Sequence, residues 1–286
     1  MNIEQHVRSC LRPRDPDSHK GTYGTLLAVC GSDGMAGAAA LSAKAALRCG
    51  VGLVACATPR CVYPLVAAAV PEAVFVPLSQ TENGTLDIAA LGQLRPWQRK
   101  ATACLIGCGL GRADATTLAV HALLAEIGCP TVVDADGINA LALHTMETET
   151  AAPLILTPHP AEMARLLGCS VEEVQRDRTA AACEAARRYH AVAVLKGHRT
   201  VVADERGVQY INESGNAGMA TAGSGDVLAG MIGGLLAQGL SAVDAAICGV
   251  YLHGTVGDRV AARLSQRSLI ASDLIEELPS LFLTFE

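Results

Sequence analysis

The sequence predicts an α/β protein with a mainly parallel central sheet, helices on both faces and a hairpin near the C-terminal third. Short apolar runs recur along the 286 residues, and most of them are followed by a helical pattern. These runs lack polar alternation, which is typical of strands buried on both faces of a parallel sheet. Half of the residues are hydrophobic but only 3% are aromatic, so small aliphatic side chains fill the core and favour close helix–sheet packing.

The repeating strand–helix units occupy the first two thirds of the chain. The predicted strands are Leu26–Val29, Leu53–Cys56, Cys104–Ile106, Thr131–Val133, Leu154–Leu156 and Val192–Leu195. The predicted helices are Ala36–Cys49, Val62–Ala69, Ala113–Ile127, Gly137–Leu143, Ala161–Leu167 and Arg176–Tyr189. Helices that connect parallel strands form right-handed crossovers, so this alternation predicts a layered sheet rather than a sandwich.

The last third of the chain has a different pattern. Thr200–Ala203 and Val208–Ile211 flank a polar turn, which predicts a hairpin. Two long helices follow, Asp226–Gln238 and Ala242–Leu264. Because no repeat or linker-like stretch interrupts the sequence, we expect a single domain over residues 1–286.

Composition excludes several classes of partner and location. A formal net charge of −6 argues against nucleic acid as the principal partner. The eleven cysteines include no CxxC pair, so we expect reduced core thiols in a reducing compartment, and we assign no metal ligands. Residues 1–14 lack the apolar core of a secretory signal, and no eighteen apolar residues run unbroken. We therefore expect a cytoplasmic protein that does not span a membrane.

Five clusters of glycine and polar residues follow predicted strands. Because ligands bind beyond the carboxyl ends of strands in an open parallel sheet, clusters at these ends indicate one ligand groove. The clusters are Gly31–Gly34, Gly107–Gly111, Asp134–Gly137, Thr157–Pro160 and Lys196–Gly197.

The strongest single segment is Asn216–Asp226, which is rich in small residues and leads directly into a helical pattern. Small residues before a helix leave backbone N–H groups free to bind a phosphate, and the helix dipole favours the anion. Asp226 would then lie beside the reacting phosphoryl group and could take a proton from an attacking hydroxyl. The alternative is that Asp226 only caps the helix, a role that aspartate performs well.

Taken together with this loop, six further segments resemble one protein family. They are His19–Gly24, Gly31–Ala38, Ala45–Val54, Leu156–Glu162, Leu195–Thr200 and Gly249–Gly254. The resemblance spans about residues 19–275 and is to the ADP/ATP-dependent NAD(P)H-hydrate dehydratases, the YjeF C-terminal domain family of the ribokinase-like superfamily. Three features depart from it: Ala222 replaces a common glycine, Cys108 a frequent proline, and we expect no N-terminal epimerase domain.

The resemblance implies a nucleotide-repair lyase. Such an enzyme dehydrates (6S)-NADHX or NADPHX, the hydrates of NADH and NADPH, at the expense of ADP, giving AMP and phosphate, or of ATP. The resemblance also implies Mg²⁺, a homotetramer, and a separate NAD(P)H-hydrate epimerase as the pathway partner.

The resemblance further assigns roles to individual residues. Asp226 is expected to be the catalytic base. The backbone N–H groups of an anion hole come from Gly223, Ser224 and Gly225. Substrate-binding positions are Ala38, Gly109, His159 and Asp226, and nucleotide-binding positions are Lys196, Gly197, His198, Arg199, Thr200 and Gly225.

Five other polar residues remain open to more than one interpretation. Glu162 either supports the site through water and Mg²⁺ or favours a helix N-terminus, and we favour the second. Asp134 and Asp136 either hold Mg²⁺ through water or bind substrate hydroxyls, although Asp136 fits an N-cap better. His253 and Tyr251 lie in an apolar helical pattern and are predicted core residues.

Two other functions compete with the dehydratase. A small-molecule kinase on the same scaffold, such as a hydroxyethylthiazole kinase, would release a stable phosphorylated product. A nucleotide sensor would have lost catalysis, which the intact Asp226 argues against. A dinucleotide-binding dehydrogenase is rejected because the pattern that starts at Gly107 does not continue as GxGxxG.

Overall fold

The computed structural model describes residues 2–11, 13–143 and 152–286, and in them nine strands form one sheet. The remaining residues of the predicted domain lie outside the described part of the chain. The strands are β1 (Thr25–Val29), β2 (Leu53–Pro59), β3 (Val74–Leu78), β4 (Ala103–Ile106), β5 (Thr131–Val133), β6 (Leu154–Leu156), β7 (Ala191–Leu195), β8 (Val201–Asp204) and β9 (Gly207–Ile211).

The strand order is β3-β2-β1-β4-β5-β6-β7-β8-β9. Every pairing from β3 to β7 is parallel, whereas β7–β8 and β8–β9 are antiparallel. The predicted fold class is confirmed, including the hairpin, which is formed by β8 and β9. The order reverses between β1 and β4, and in such sheets this switch point opens a crevice beyond the carboxyl ends of the two strands.

Helices surround the sheet and connect its strands. They are α1 (Ile3–Cys10), α2 (Ala36–Arg48), α3 (Tyr63–Ala69), α4 (Leu91–Gln98), α5 (Asp114–Glu126), α6 (Asp136–Leu143), α7 (Pro160–Leu167), α8 (Val171–Arg176), α9 (Arg178–Arg188), α10 (Ser224–Ala237), α11 (Ala242–Leu264) and α12 (Ala271–Phe282). Within the described ranges, no helix combines the length and the hydropathy that crossing a membrane requires.

The predicted elements are present, most of them within two residues of their predicted ends. The prediction omitted α1, α4, α8, α12 and β3. Strand β3 is an edge strand that carries Pro77 and leaves Val74 exposed, and both features weaken a strand signal. The prediction started this helix at Asp226, but α10 begins at Ser224, so Asp226 is the third residue of the helix.

Helix α10 is the central packing element. Twelve of its fourteen residues are buried, and it lies between the sheet and the surrounding helices, in contact with β1, β4, α2 and α11. Two glycines permit the close approach to α2. A Cβ atom at Gly230 would lie 2.2 Å from the Ser42 carbonyl oxygen, and one at Gly234 would lie 2.8 Å from that of Ala46. This packing places the N-terminus of α10 at the carboxyl edge of the sheet.

Candidate active site

The loops after β1 and β4 form the floor of the crevice at the switch point. Gly31 N–H donates to the Cys108 carbonyl over 2.8 Å, and Ser32 Oγ–H donates to the Gly109 carbonyl over 2.8 Å. Gly109 has a φ of +65°, which favours glycine, and a Cβ atom there would lie 2.9 Å from that of Ala38. Ala38 and Gly109, two of the predicted substrate-binding positions, therefore lie side by side.

The N-terminus of α10 supplies backbone donors at the same edge. Gly223 adopts a φ of +87° and turns the chain into the helix. Within the described residues, the N–H groups of Gly225 and Asp226 have no hydrogen-bond acceptor, as is usual for the first turn of a helix. Ser224 differs from the prediction because its N–H already donates to the Thr221 carbonyl over 3.3 Å. Free donors at a helix N-terminus suit an anion.

Asp134 is the centre of a buried polar cluster. Its Oδ1 accepts hydrogen bonds from Lys196 Nζ and from Thr157 Oγ1, each over 2.6 Å. Its Oδ2 accepts the Cys108 thiol over 3.6 Å, and the residue is only 1% exposed. Each of these four residues follows a different strand, from β4 to β7, so the parallel sheet itself brings them together.

Asp226 faces this cluster from α10. Its carboxylate, an Asp134 carboxylate oxygen and Cys108 Sγ lie within 4.8 Å of one another. Burial raises the pKa of Asp226 to about 6, and the like charge of Asp134 adds to the rise, while Cys108 and Lys196 oppose it. A carboxyl group with a pKa near neutrality is suited to accept and return a proton.

Lys196 connects the cluster to the α10 loop. Its ammonium also lies 3.9 Å from Glu162 Oε2, and a Cβ atom at Gly225 would lie 3.4 Å from it. Burial alone would lower the pKa of Lys196, but the Asp134 and Glu162 carboxylates outweigh it and raise the pKa above its usual value. Lys196 therefore places a fixed positive charge beside the free N–H groups.

His159 and Glu162 form a capping box at the start of α7. His159 Nδ1 accepts the Ala161 and Glu162 N–H groups over 3.1 and 3.3 Å, and Glu162 Oε2 accepts the His159 N–H over 2.8 Å. Because Nδ1 accepts, the proton of neutral His159 lies on Nε2, which is 3.2 Å from Glu162 Oε1. Burial lowers the pKa of His159, and the positive charge of Lys196 lowers it further. The half-exposed ring therefore lies at the crevice edge with its Nε2–H next to Glu162 Oε1.

Glu162 fills the helix-terminus role that we favoured for it, and it also lies 3.9 Å from the Lys196 ammonium. Its side chain is buried, and burial raises its pKa to about 7 although Lys196 opposes the rise. Arg178 was also missed: its Nη2 donates to the carbonyls of Leu195 and Lys196 over 3.0 and 3.2 Å, which fixes the end of β7. Neither role leaves a local sequence signal, because both depend on contacts between distant segments.

The remaining loop residues after Lys196 lie at the rim. Gly197 has a φ of +136°, and a Cβ atom there would lie 3.3 Å from the Arg178 guanidinium. His198 and Arg199 are exposed, Arg199 pairs with Glu213 over 3.5 Å, and Thr200 Oγ–H donates to the Gly197 carbonyl over 3.0 Å. Lys196 thus points into the cluster while the rest of the loop faces solvent.

Three residues with open interpretations are also placed. Asp136 is the first residue of α6, and its carboxylate accepts the Gly111 N–H over 2.9 Å and Arg112 Nε over 3.3 Å, so the N-cap interpretation is wrong. His253 is buried, its pKa is lowered to about 4 by burial, and Ser224 Oγ lies 3.4 Å from its Nε2. The core prediction is confirmed for His253, whereas Tyr251 is only partly buried.

Chemically, the crevice combines an anion site, a fixed ammonium and a carboxylate with a pKa near neutrality. Free N–H groups and Lys196 can bind a transferring phosphoryl group, and Asp226 can take the proton of the hydroxyl that attacks it.

Comparisons with known proteins show what the chain is similar to. The family described as NAD(P)H-hydrate dehydratase matches residues 26–280. The bifunctional NAD(P)H-hydrate repair enzyme Nnr of Moorella thermoacetica is 47% identical over 273 residues, which are 95% of this chain and 52% of that protein. The chain thus spans about half the length of this relative.

Two solved structures are similar over almost the whole chain. The ADP/ATP-dependent NAD(P)H-hydrate dehydratase from Bacillus subtilis, co-crystallised with ATP and Mg²⁺, has a TM-score of 0.84 and 37% identity, covering 99% of this chain and 97% of that one. A ribokinase-like superfamily protein from Enterococcus faecalis has a TM-score of 0.87 and 26% identity, covering 100% and 95%.

Proposed function

The chain belongs to the NAD(P)H-hydrate dehydratase family, and from that premise we propose that it uses an adenine nucleotide to dehydrate hydrated NADH or NADPH. The observation that carries the proposal is the position of Asp226. It lies in the first turn of α10, beside free backbone N–H groups and facing the Asp134–Lys196 pair. A base and a phosphate site are thus adjacent, as transfer of a phosphoryl group to a hydroxyl requires.

Phosphorylation solves the chemical difficulty of the dehydration. Hydroxide is a poor leaving group, whereas phosphate leaves readily. Asp226 takes the proton of the substrate hydroxyl while the oxygen of that hydroxyl attacks the terminal phosphoryl group of ADP, releasing AMP. The ring nitrogen then donates its electron pair as the carbon–oxygen bond breaks and phosphate departs, and loss of a proton from the adjacent carbon restores the dihydropyridine.

We assign the two ligands to the two sides of Asp226. The reduced dinucleotide lies over Ala38 and Gly109, where the absence of bulk opens the crevice, and the Nε2–H of His159 is a donor to its polar groups. The adenine nucleotide lies along residues 197–200 with its phosphates at Gly223, Gly225 and Lys196. The separation is supported by the position of the Lys196 ammonium between the loop after β7 and the N-terminus of α10.

Mg²⁺ fits the residues present. Asp134 and Asp226 supply facing carboxylate oxygens, and their mutual repulsion contributes to the raised pKa of Asp226. Magnesium is usually held by one or two carboxylates together with phosphate oxygens and water. Asp134 would therefore hold the ion together with phosphate oxygens and water, which would neutralise charge on the nucleotide phosphates and leave Asp226 free to act as the base.

The remaining proposals concern the cellular context. We propose that residues 1–286 form one catalytic domain, which works in the cytoplasm as a homotetramer and receives the reactive epimer from an NAD(P)H-hydrate epimerase. They are supported by the family's properties and by a bifunctional relative that is about twice as long as this chain.

One assay tests the activity. Hydrated NADH or NADPH is incubated with the protein, Mg²⁺ and either ADP or ATP, and the reduced-nicotinamide absorbance and free phosphate are followed together. We expect both to appear in equal amounts. A stable phosphorylated alcohol from a thiazole or pyrimidine substrate, with no restored absorbance from the hydrate, would instead identify a small-molecule kinase.

A further inference from the structure

Four potential metal ligands converge between α1 and α11, away from the carboxyl edge of the sheet. His6 and Cys10 are four residues apart on α1, and Asp244 and Cys248 are four residues apart on α11. Side chains with this spacing lie on the same face of a helix. The packing of α1 on α11 therefore brings His6 and Cys10 close to Cys248, and His6 close to Asp244.

Two separations in this cluster are close to those of a tetrahedral zinc site before any ion is added. His6 Nε2 lies 3.1 Å from Asp244 Oδ1 and 3.9 Å from Cys10 Sγ, and the ligand atoms of His6, Cys10 and Cys248 all lie within 4.8 Å of one another. Zinc bond lengths and a tetrahedral angle require about 3.4 Å for the first pair and about 3.6 Å for the second. Shifts of a few tenths of an ångström would bring these two pairs to zinc distances.

The donor set selects the class of metal. One imidazole, two thiols and one carboxylate suit zinc or a similar first-row divalent ion, and they do not suit Mg²⁺ or Ca²⁺. Cys108, Asp134 and Asp226 also lie close together, but that group offers a single sulfur and includes the carboxylate bound to Lys196. A thiophilic ion therefore prefers the site between the helices.

We propose that His6, Cys10, Asp244 and Cys248 bind one zinc-class ion that fastens α1 to α11. The ion would add to the sparse packing of α1, which has eight residues and, in the described structure, Val7 as its only buried side chain. Helices this short are not stable by themselves. Solvent reaches the site through a cavity of about 1090 Å³ whose lining includes His6, Cys10 and Asp244.

The test uses cobalt as a spectroscopic probe. The full chain is reduced, stripped with a chelator and titrated with CoCl₂ and then with ZnCl₂. We expect one equivalent of Co²⁺ to give thiolate-to-cobalt charge-transfer and tetrahedral d–d bands, which Zn²⁺ abolishes, and we expect zinc to raise the Tm. Cys248→Ala and His6→Gln should lose the bands and the shift.

Two controls make the result specific. Cys61→Ala removes an exposed thiol outside the cluster, and Asp226→Asn alters the other group of close ligands, so both variants should keep the bands. If Cys248→Ala fails to fold, His6→Gln and Asp244→Asn still test the site, because both side chains are partly exposed. Absence of the bands in wild type, their survival in these ligand variants, or their loss in Asp226→Asn alone would overturn the proposal.

Discussion

In the proposed mechanism Asp226 must be ionised before it can accept a proton, yet its buried surroundings disfavour the negative charge. Asp226→Asn preserves the size of the side chain and removes the base. We expect kcat to fall by roughly a hundredfold or more with the fold unchanged. The measurement is turnover of hydrated NADH alongside circular dichroism. Ser224→Ala is the matched control, since its hydroxyl points to His253, and it should stay within a few-fold of wild type. Near-normal turnover of Asp226→Asn would contradict the proposed base.

The same carboxyl group predicts how activity depends on pH. Burial raises the pKa of Asp226 to about 6, so below that value the base carries a proton and cannot accept another. We expect kcat/KM to rise with pH through about 6 and then to level off. A profile that is flat from acidic to neutral pH, measured at saturating Mg²⁺, would exclude Asp226 as the titrating base.

A further consequence of this pKa concerns stability. The folded-state pKa of about 6 exceeds the usual 3.8, so the folded protein binds this proton more tightly than the unfolded chain does. The resulting stabilisation is present at acidic pH and is lost as the pH rises through about 6. The substituted side chain of Asp226→Asn has no such proton. The unfolding free energy of this variant should therefore be higher than that of wild type at about pH 8, by about 1–2 kcal/mol. Urea denaturation at several pH values measures this difference in unfolding free energy between variant and wild type, which should disappear near pH 4.

Lys196 and Asp134 form a buried ion pair, and removing one partner alone should lower the free energy of unfolding. The Asp134 side chain is 2% exposed and that of Lys196 is 17% exposed. Lys196→Met keeps the side-chain volume but leaves the carboxylate uncompensated, so we expect unfolding free energy to fall by about 3 kcal/mol. The double variant Lys196→Met/Asp134→Asn should recover part of that loss. Equal destabilisation of the single and double variants in urea would show that the charge pair is not responsible.

At the scale of elements, the crossing of α10 over α2 sets where the anion site lies. A Cβ atom at Gly230 would meet the Ser42 carbonyl oxygen at 2.2 Å, and backbone cannot move aside cheaply. Gly230→Ala should therefore lower the unfolding free energy by about 1–3 kcal/mol and also displace Asp226. Gly92→Ala in α4 is the control, since a Cβ atom there meets nothing within 4 Å, and it should be neutral or slightly stabilising. Thermal unfolding and turnover of the two variants decide the comparison.

The elements also show what the sequence could and could not predict. Strands and their polar ends were predictable because apolar runs and the residues after them are local signals. The bond between Lys196 and Asp134, 62 residues apart, and the support from Arg178 depend on strand order, which no local pattern encodes. The same holds for the His6–Asp244 pair, whose members lie on helices at opposite ends of the sequence. The sequence predicted which residues lie at the carboxyl edge of the sheet, but it did not predict which of them contact one another.

At the scale of the whole molecule, the proposed reaction requires the crevice to hold two nucleotides at once. Ala38 is 8% exposed and faces Gly109, so Ala38→Leu should fill the dinucleotide side while leaving the nucleotide loop intact. Calorimetric titration is expected to show NADPH binding to wild type, its loss in the variant, and ADP binding to both. Loss of both ligands in a folded variant would show that the two are not separated as we propose. Gly197→Val is a poor probe of the loop, because its φ of +136° and the nearby Arg178 would strain the backbone.

The carboxylate of Asp134, which follows β5, receives groups from the ends of three other strands, β4, β6 and β7. A slip of one residue in any of these pairings would turn the contributed side chain to the opposite face of the sheet. During refolding, activity should therefore return only in molecules whose four central strands are all in register, later than secondary structure returns. Recovery of turnover therefore reports when these four strands have all reached their native register.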